Sequence, residues 1–318
     1  MATYKEIFGK KIKFLAADPP AAIGEGQIWY NDTSDALKTS VQGAASWAAG
    51  GNLINTRKEI AVQGGGIQTA ALAIGGSVPA KIASTEKYDG TSWTAGVDYP
   101  QPITQLASFG TQTALAAFCG EAGPGIVSAN AEYDGSSWTS ATAYPAALKR
   151  PVGGGTLSAG IGAGGAAPTV TDASNEYDGT NWTAGGTMNT ARSGAMGGGP
   201  QTATLIAGSA TEEYNGTAWA TNPANLNTPR SSVAGTGGAD AQTACLIAGG
   251  GPPGVLAETF DGSTWSATTA ITTGRVDLGG CGTESLGLIY GGEPGSGTTN
   301  ATEEYTAGAA TVQTITVS

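Results

Sequence analysis

Apolar and polar positions in this chain come in short runs that return in the same order. An Ala/Val/Ile-rich run ending in paired glycines, such as TAALAIGG at 69–76, TACLIAGG at 243–250 or LGLIYGG at 286–292, leads into a polar loop. A hairpin-like element of the form Tyr-Asp-Gly-x-x-Trp follows. Short apolar or alternating runs bounded by Gly-rich turns predict strands rather than helices. Asp-Gly or Asn-Gly between two such runs is a strong hairpin signal.

The hairpin is copied. It ends at Trp93, Trp138, Trp182, Trp219 and Trp265, with Phe260 replacing the tyrosine once. The period is about 45 residues with one shorter interval before Trp219, a spacing that belongs to repeat architectures. AASWAAGGNLINTR at 44–57 carries Trp47 without a tyrosine ahead of it, and TNATEEYTAG at 299–308 carries Tyr305 without a tryptophan behind it. The two fragments complement each other.

The expected fold is all-β: a six-bladed β-propeller over residues 42–318, closed by an N-terminal strand at Trp47 that completes the C-terminal blade. Each unit supplies an inner strand such as EIAVQGG, a second strand ending in glycines, and the two strands of the hairpin. Small residues suit inner strands that converge on an axis, and Tyr and Trp suit the wider space between blades. Trp47, Trp93, Trp138, Trp182, Trp219 and Trp265 are therefore read as blade-packing residues. The loops after the second strand vary most and should share one face, where partners usually bind.

Residues 1–41 stand outside the repeat. Lys5, Lys10, Lys11 and Lys13 precede the proline-bearing ADPPAA, which reads as an arm. Gln27–Tyr30 and Ala36–Val41 then read as a hairpin around the turn-rich Asn31–Asp35. Two strands alone bury too little to be stable. Ile28, Trp29 and Tyr30 are thus the expected docking residues.

With 52 glycines and a formal charge of -11, the chain is acidic but sparsely charged. That balance disfavours nucleic acid as a partner, since phosphate binding needs a basic surface. The sequence shows no run long and apolar enough to predict a membrane span. Cys119, Cys245 and Cys281 have no metal-ligand spacing and read as small buried hydrophobes. No histidine is present, which removes the commonest general base and metal ligand, so neither a cofactor nor a catalytic site is expected.

One charged pattern does repeat. Arg57, Arg150, Arg192, Arg230 and Arg275 all lie between a tryptophan and the next inner strand, and Glu86, Glu132, Glu176, Glu212, Glu258 and Glu303 precede the Tyr or Phe. Two explanations stand open. The arginines form a collar at one channel mouth for an anion or acidic glycan, or each pairs with a glutamate of the repeat between blades.

The order glycine pair, tyrosine, tryptophan resembles the kelch repeat over about residues 42–310, carried by Gly75-Gly76, Gly249-Gly250, Gly291-Gly292 and by Tyr88, Tyr133, Tyr177, Tyr214 and Tyr305. Cys119-Gly120 and Gly208-Ser209 depart from it. A copper oxidase of kelch type requires histidine ligands that this chain lacks. The segment around Gly26-Gln27-Ile28-Trp29-Tyr30-Asn31 is similar to the N-terminal regions of tail and other virion proteins of tailed bacteriophages, particularly marine ones. That resemblance implies a non-enzymatic virion protein, a tail fibre or capsid decoration present in multiple copies on a symmetric particle. Residues 1–41 would dock on other virion proteins, and the propeller would face outward toward a host-surface glycan. The alternative is a free carbohydrate-binding propeller.

Overall fold

The computed structural model describes residues 3–7, 10–19, 28–61, 66–251 and 254–316. Gly26, Gln27, the second proline of ADPPAA, the last four residues of EIAVQGG and the two prolines of GPPGVLA lie outside them. The chain divides into two compact units, one running to Ser46 and resuming at Ala307, the other spanning Trp47–Thr306.

The first unit is a five-stranded sheet in the order Thr3–Ile7, Lys10–Leu15, Ile28–Asn31, Ala36–Gln42, Ala310–Thr314. The hairpin at 28–42 forms as expected, pairing Ile28 with Thr39 and Asn31 with Ala36. Asn31 Oδ1 builds its turn by accepting from the N–H groups of Thr33 and Ser34 at 3.0 and 2.9 Å. The arm and the boundary at residue 42 need correction. The lysine-rich stretch is itself an antiparallel pair, and the C-terminal strand joins this sheet antiparallel to Ala36–Gln42. A lone hairpin is short of partners, and strands from both chain ends supply them.

Within the second unit the described residues form six four-stranded antiparallel sheets. Their first strands are Gly66–Ile67, Ala107–Thr111, Val152–Thr156, Met196–Gly198, Ala234–Thr236 and Gly279–Gly282. Five sheets are continuous in sequence. The sixth takes Gly279–Gly282, Leu286–Tyr290 and Thr302–Thr306 from the C-terminal part and Ser46–Ala49 as its outer strand. The Trp47 ring lies 5.0 Å from that of Tyr305, so the two sequence fragments do meet in one hairpin-like pair. The architecture is all-β and β-propeller-like.

First strands of consecutive sheets touch one another, and that of the sixth touches that of the first. Glycine is needed there: a Cβ on Gly153 would stand 2.3 Å from Ser108 O of the preceding sheet, and one on Gly198 would stand 2.2 Å from Gly237 Cα of the next. The apolar core is divided among the spaces between sheets. Leu72, Ile74, Leu115, Ala117 and Tyr133 fill that between the first and second sheets, and Cys281, Leu288, Tyr290, Ala71, Tyr88 and Trp93 fill that between the sixth and first. Division of one core among neighbours is the arrangement expected of repeats that cannot bury a face alone.

Candidate functional site

The hairpin residues are structural. Each tryptophan ring lies 4.8–5.0 Å from the Tyr or Phe ring of its own sheet, and each indole N–H bonds to the sheet before. Trp93 donates to Thr302 Oγ1 at 2.9 Å, Trp219 to Ser174 Oγ at 3.1 Å and Trp265 to Thr211 Oγ1 at 3.2 Å. Trp138, Trp182 and Trp47 donate to the carbonyls of Val97, Thr142 and Thr269. The turn aspartates are engaged as well. The N–H groups of Ser92 and Thr91, with the Thr91 hydroxyl, hold the Asp89 carboxyl down to about 2.

The arginine collar does not assemble. Arg57, Arg192, Arg230 and Arg275 are buried in ion pairs with Glu86, Glu212, Glu258 and Glu303 of the sheet each arginine precedes. Burial lowers the pKa of Arg57, and the nearby Glu86 opposes that shift. Each carboxylate also accepts from the arginine's own loop, as Glu212 does from the N–H groups of Asn189 and Thr190 at 2.7 and 3.1 Å. The pairing lies within a sheet rather than between blades. A guanidinium enclosed with its carboxylate offers nothing to a ligand.

The second and third sheets lack this pair, and every member of it changes together. Ile103 and Leu148 occupy the arginine position, and Ala131 and Asn175 the glutamate position. Tyr99 and Tyr144 replace the aliphatic residues Leu53, Met188, Leu226 and Ile271 four positions before the arginine. The next residue becomes Pro100 or Pro145, whose nitrogen carries no hydrogen and therefore leaves no donor in need of a carboxylate. The tyrosine hydroxyls bond to the carbonyls of Ala117 and Gly162, and Asn175 Nδ2 donates to the Tyr144 oxygen. An ionic lock and a neutral lock thus perform the same task.

Arg150 is different: it stands two residues after Leu148, out of register with the other four. Its true counterparts are Glu59, Gln105, Gly194, Ser232 and Asp277, and all six have positive φ of 54–64°. Their backbones form a ring. The N–H of Gln105 donates to Glu59 O, Arg150 to Gln105, Gly194 to Arg150, Ser232 to Gly194, Asp277 to Ser232 and Glu59 to Asp277, at 2.7–3.1 Å. Left-handed backbone costs a non-glycine residue about 1–2 kcal/mol; here it aims each N–H along the ring. Arg150 reaches across to Asp277 at 2.8 Å, Ser232 Oγ at 2.5 Å and Glu59 at 3.9 Å. About 20 Å³ remains inside, room for one water.

In five of the sheets the first strand begins two residues after its ring residue, and it runs to a turn at its other end. There a cavity of about 410 Å³ opens, lined by residues of all six sheets: Ile67, Ser108 to Thr113, Gly153 to Thr156, Gly199 with Pro200, Gly237 to Ala239, and Cys281 with Gly282. None of these described lining residues is charged. Burial pushes the Cys281 thiol up to about 12, so it is protonated and inert at neutral pH.

At the same turns a Gln-Thr dipeptide recurs. Gln68, Gln112, Gln201 and Gln242 each donate Nε2 to two backbone carbonyls of the preceding sheet, as Gln112 does to Ala71 and Tyr88 at 2.8 and 2.7 Å. These glutamines, and Glu59, Gly194, Ser232 and Asp277 of the ring, escaped the sequence reading. Alignment on the tryptophans would have revealed both.

Ile28, Trp29 and Tyr30 lie on one strand of the first unit. Trp29 is 2% exposed and donates to Asp18 Oδ1 at 3.0 Å, Tyr30 bonds to Asp35, and Ile28 is 46% exposed. Of the three, Ile28 presents apolar surface.

No protein-family model and no curated protein matches the chain. The solved structure of YjhT matches with a TM-score of 0.67 and 16% identity over 83% of this chain and 99% of that one. At that identity the likeness is one of fold.

Proposed function

We propose that the chain is a non-enzymatic structural protein of a tailed-phage virion, a closed six-bladed kelch-like propeller that faces outward while its first unit docks on tail or capsid proteins. The observation that carries this reading is the pairing of Ala36–Gln42 with Ala310–Thr314. Both ends of the propeller chain enter one small sheet, as an attachment module that resists unravelling requires, and the described part of the virion-like segment, Ile28–Asn31, lies in that sheet. Closure is supported by the run of contacts, indole bonds and ring N–H bonds that returns from the sixth sheet to the first. The non-enzymatic reading is supported by carboxylates and guanidiniums engaged with one another and by buried thiols whose pKa is raised. Multiple copies on a symmetric particle would give weak host-glycan contacts the avidity that attachment needs.

The test is mass spectrometry of purified particles, with the chain expected among the virion proteins; its absence ends the reading. A free carbohydrate-binding propeller is the second reading, favoured by the cavity. It predicts soluble chain outside particles.

A further inference from the structure

We infer that the cavity at the turn end of the first strands is a blind binding pocket for an uncharged, hydroxyl-rich small ligand of the class of a neutral monosaccharide. This goes beyond the virion reading and does not need it.

The first ground is shape. All six sheets contribute to the wall, and toward the other end the six-membered N–H ring with Arg150 across it leaves room for a single water. A ligand would therefore enter and leave at the turns. The volume, about 410 Å³, falls in the lower part of the roughly 300–1,000 Å³ range of small-molecule sites.

The second ground is chemistry. Every first strand is the edge of its sheet, so one side of its backbone has no strand of its own sheet to pair with, and of the lining groups Gly199 N–H reaches Gly237 O of the next sheet at 3.0 Å. An edge presents N–H and C=O groups in alternation, and each needs a partner. Thr111, Thr113 and Thr156 add hydroxyls, and Ile67, 56% exposed, adds an apolar patch. Donors and acceptors in alternation suit hydroxyls, which serve as both. A carboxylate or ammonium would lose its hydration and meet no opposite charge on the described wall, a heavy cost. A wholly apolar ligand would leave the edge groups unpaired. Charge-neutral and polar is what remains.

The experiment uses the full chain and saturation-transfer NMR with D-glucose, D-galactose, D-mannose and N-acetyl-D-glucosamine, with D-glucuronate as the charged counterpart of glucose. Thr111→Trp and Thr156→Trp fill the mouth from exposed positions that tolerate large side chains, and Thr139→Trp on an outer strand is the control. At least one neutral sugar is expected to bind, the two mouth variants to weaken it roughly tenfold or more, the control to leave it unchanged, and glucuronate not to bind. Absence of binding by all four sugars, binding that survives both mouth variants, or glucuronate binding as well as glucose would each overturn the assignment. Since none of these outcomes depends on particles, failure here leaves the virion test standing.

Discussion

Arg192→Leu should be among the most damaging single changes in the second unit, although it removes a charge that no ligand touches. Arg192 and Glu212 are 4% and 0% exposed in their side chains. The variant leaves the carboxylate buried, still held by Asn189 N–H, Asn189 Nδ2 and Thr190 N–H at 2.7, 3.0 and 3.1 Å. Removing one partner of a buried pair costs about 3–5 kcal/mol. Three surviving donors place this case near the lower end, roughly 3 kcal/mol, or some 6–12 °C in Tm on the scaling of 150–250-residue domains.

The chain itself supplies the rescue. Met188→Tyr, Asn189→Pro, Arg192→Leu and Glu212→Asn together copy Tyr144, Pro145, Leu148 and Asn175 of the third sheet. Ala163 stands where Phe118 packs on Tyr144 in the original, which leaves room for the new ring. Replacement of a buried ion pair by a well-packed neutral set is often neutral, so the fourfold variant should come within about 1 kcal/mol of the parent. Urea denaturation followed by tryptophan fluorescence measures both. A single variant that costs under about 1 kcal/mol, or a fourfold variant no better than the single one, would refute the idea that the two locks are equivalent.

Two further changes test the joints between sheets. Glu284 occupies the turn position that holds glutamine in four other sheets, and burial raises its pKa. A raised carboxyl pKa means the folded state holds the proton more tightly. Its contribution is therefore present below the unfolded pKa and lost as pH rises through the folded one. Glu284→Gln should stabilise the chain at pH 7 by about 1–2 kcal/mol through amide bonds to the preceding sheet and flatten the pH dependence; calorimetry on both sides of the carboxylate range reads this, and a destabilised variant at neutral pH would contradict it. Trp47→Ala removes the ring that lies on Tyr305 and the bond to Thr269 O at 2.8 Å. With the indole half-buried, the loss should be about 2–3 kcal/mol, with faster amide exchange in Ser46–Ala49, and an unchanged denaturation midpoint would show that this strand does not secure the sixth sheet.

Much of the second unit is legible because its signals are local. The Tyr-Asp-Gly-x-x-Trp hairpin, the glycine pairs and the complementary fragments at Trp47 and Tyr305 each depend on residues adjacent in sequence or identical in type. The arginines divide: pairing with the repeat's glutamates holds for Arg57, Arg192, Arg230 and Arg275, whereas a collar of all five does not form. Arg150 shares a residue type and a neighbourhood with Arg192 but lies two positions out of register, and register decides whether a side chain enters the sheet or crosses the ring. The strand Ala310–Thr314 was absorbed into the propeller because an alternating ATVQT run carries no mark of which sheet it will join. The cavity was invisible because backbone edges and glycines line it, and a sequence names side chains.

The placement of charge follows from the same geometry. Polar groups at the ends of the first strands are paired by backbone in the ring, and the buried arginines are paired by glutamates in four sheets or dispensed with in two. What the cavity keeps at its turn end is an edge of peptide groups with no charged side chain among the described lining residues. A propeller that used its arginines for recognition would have to leave them unpaired, at a cost of several kcal/mol per buried ion. One that recognises with backbone edges incurs no such cost, because water satisfies the edges until a hydroxyl-bearing ligand displaces it. That division, ions for the scaffold and peptide groups for the pocket, explains how an acidic chain can present a neutral site.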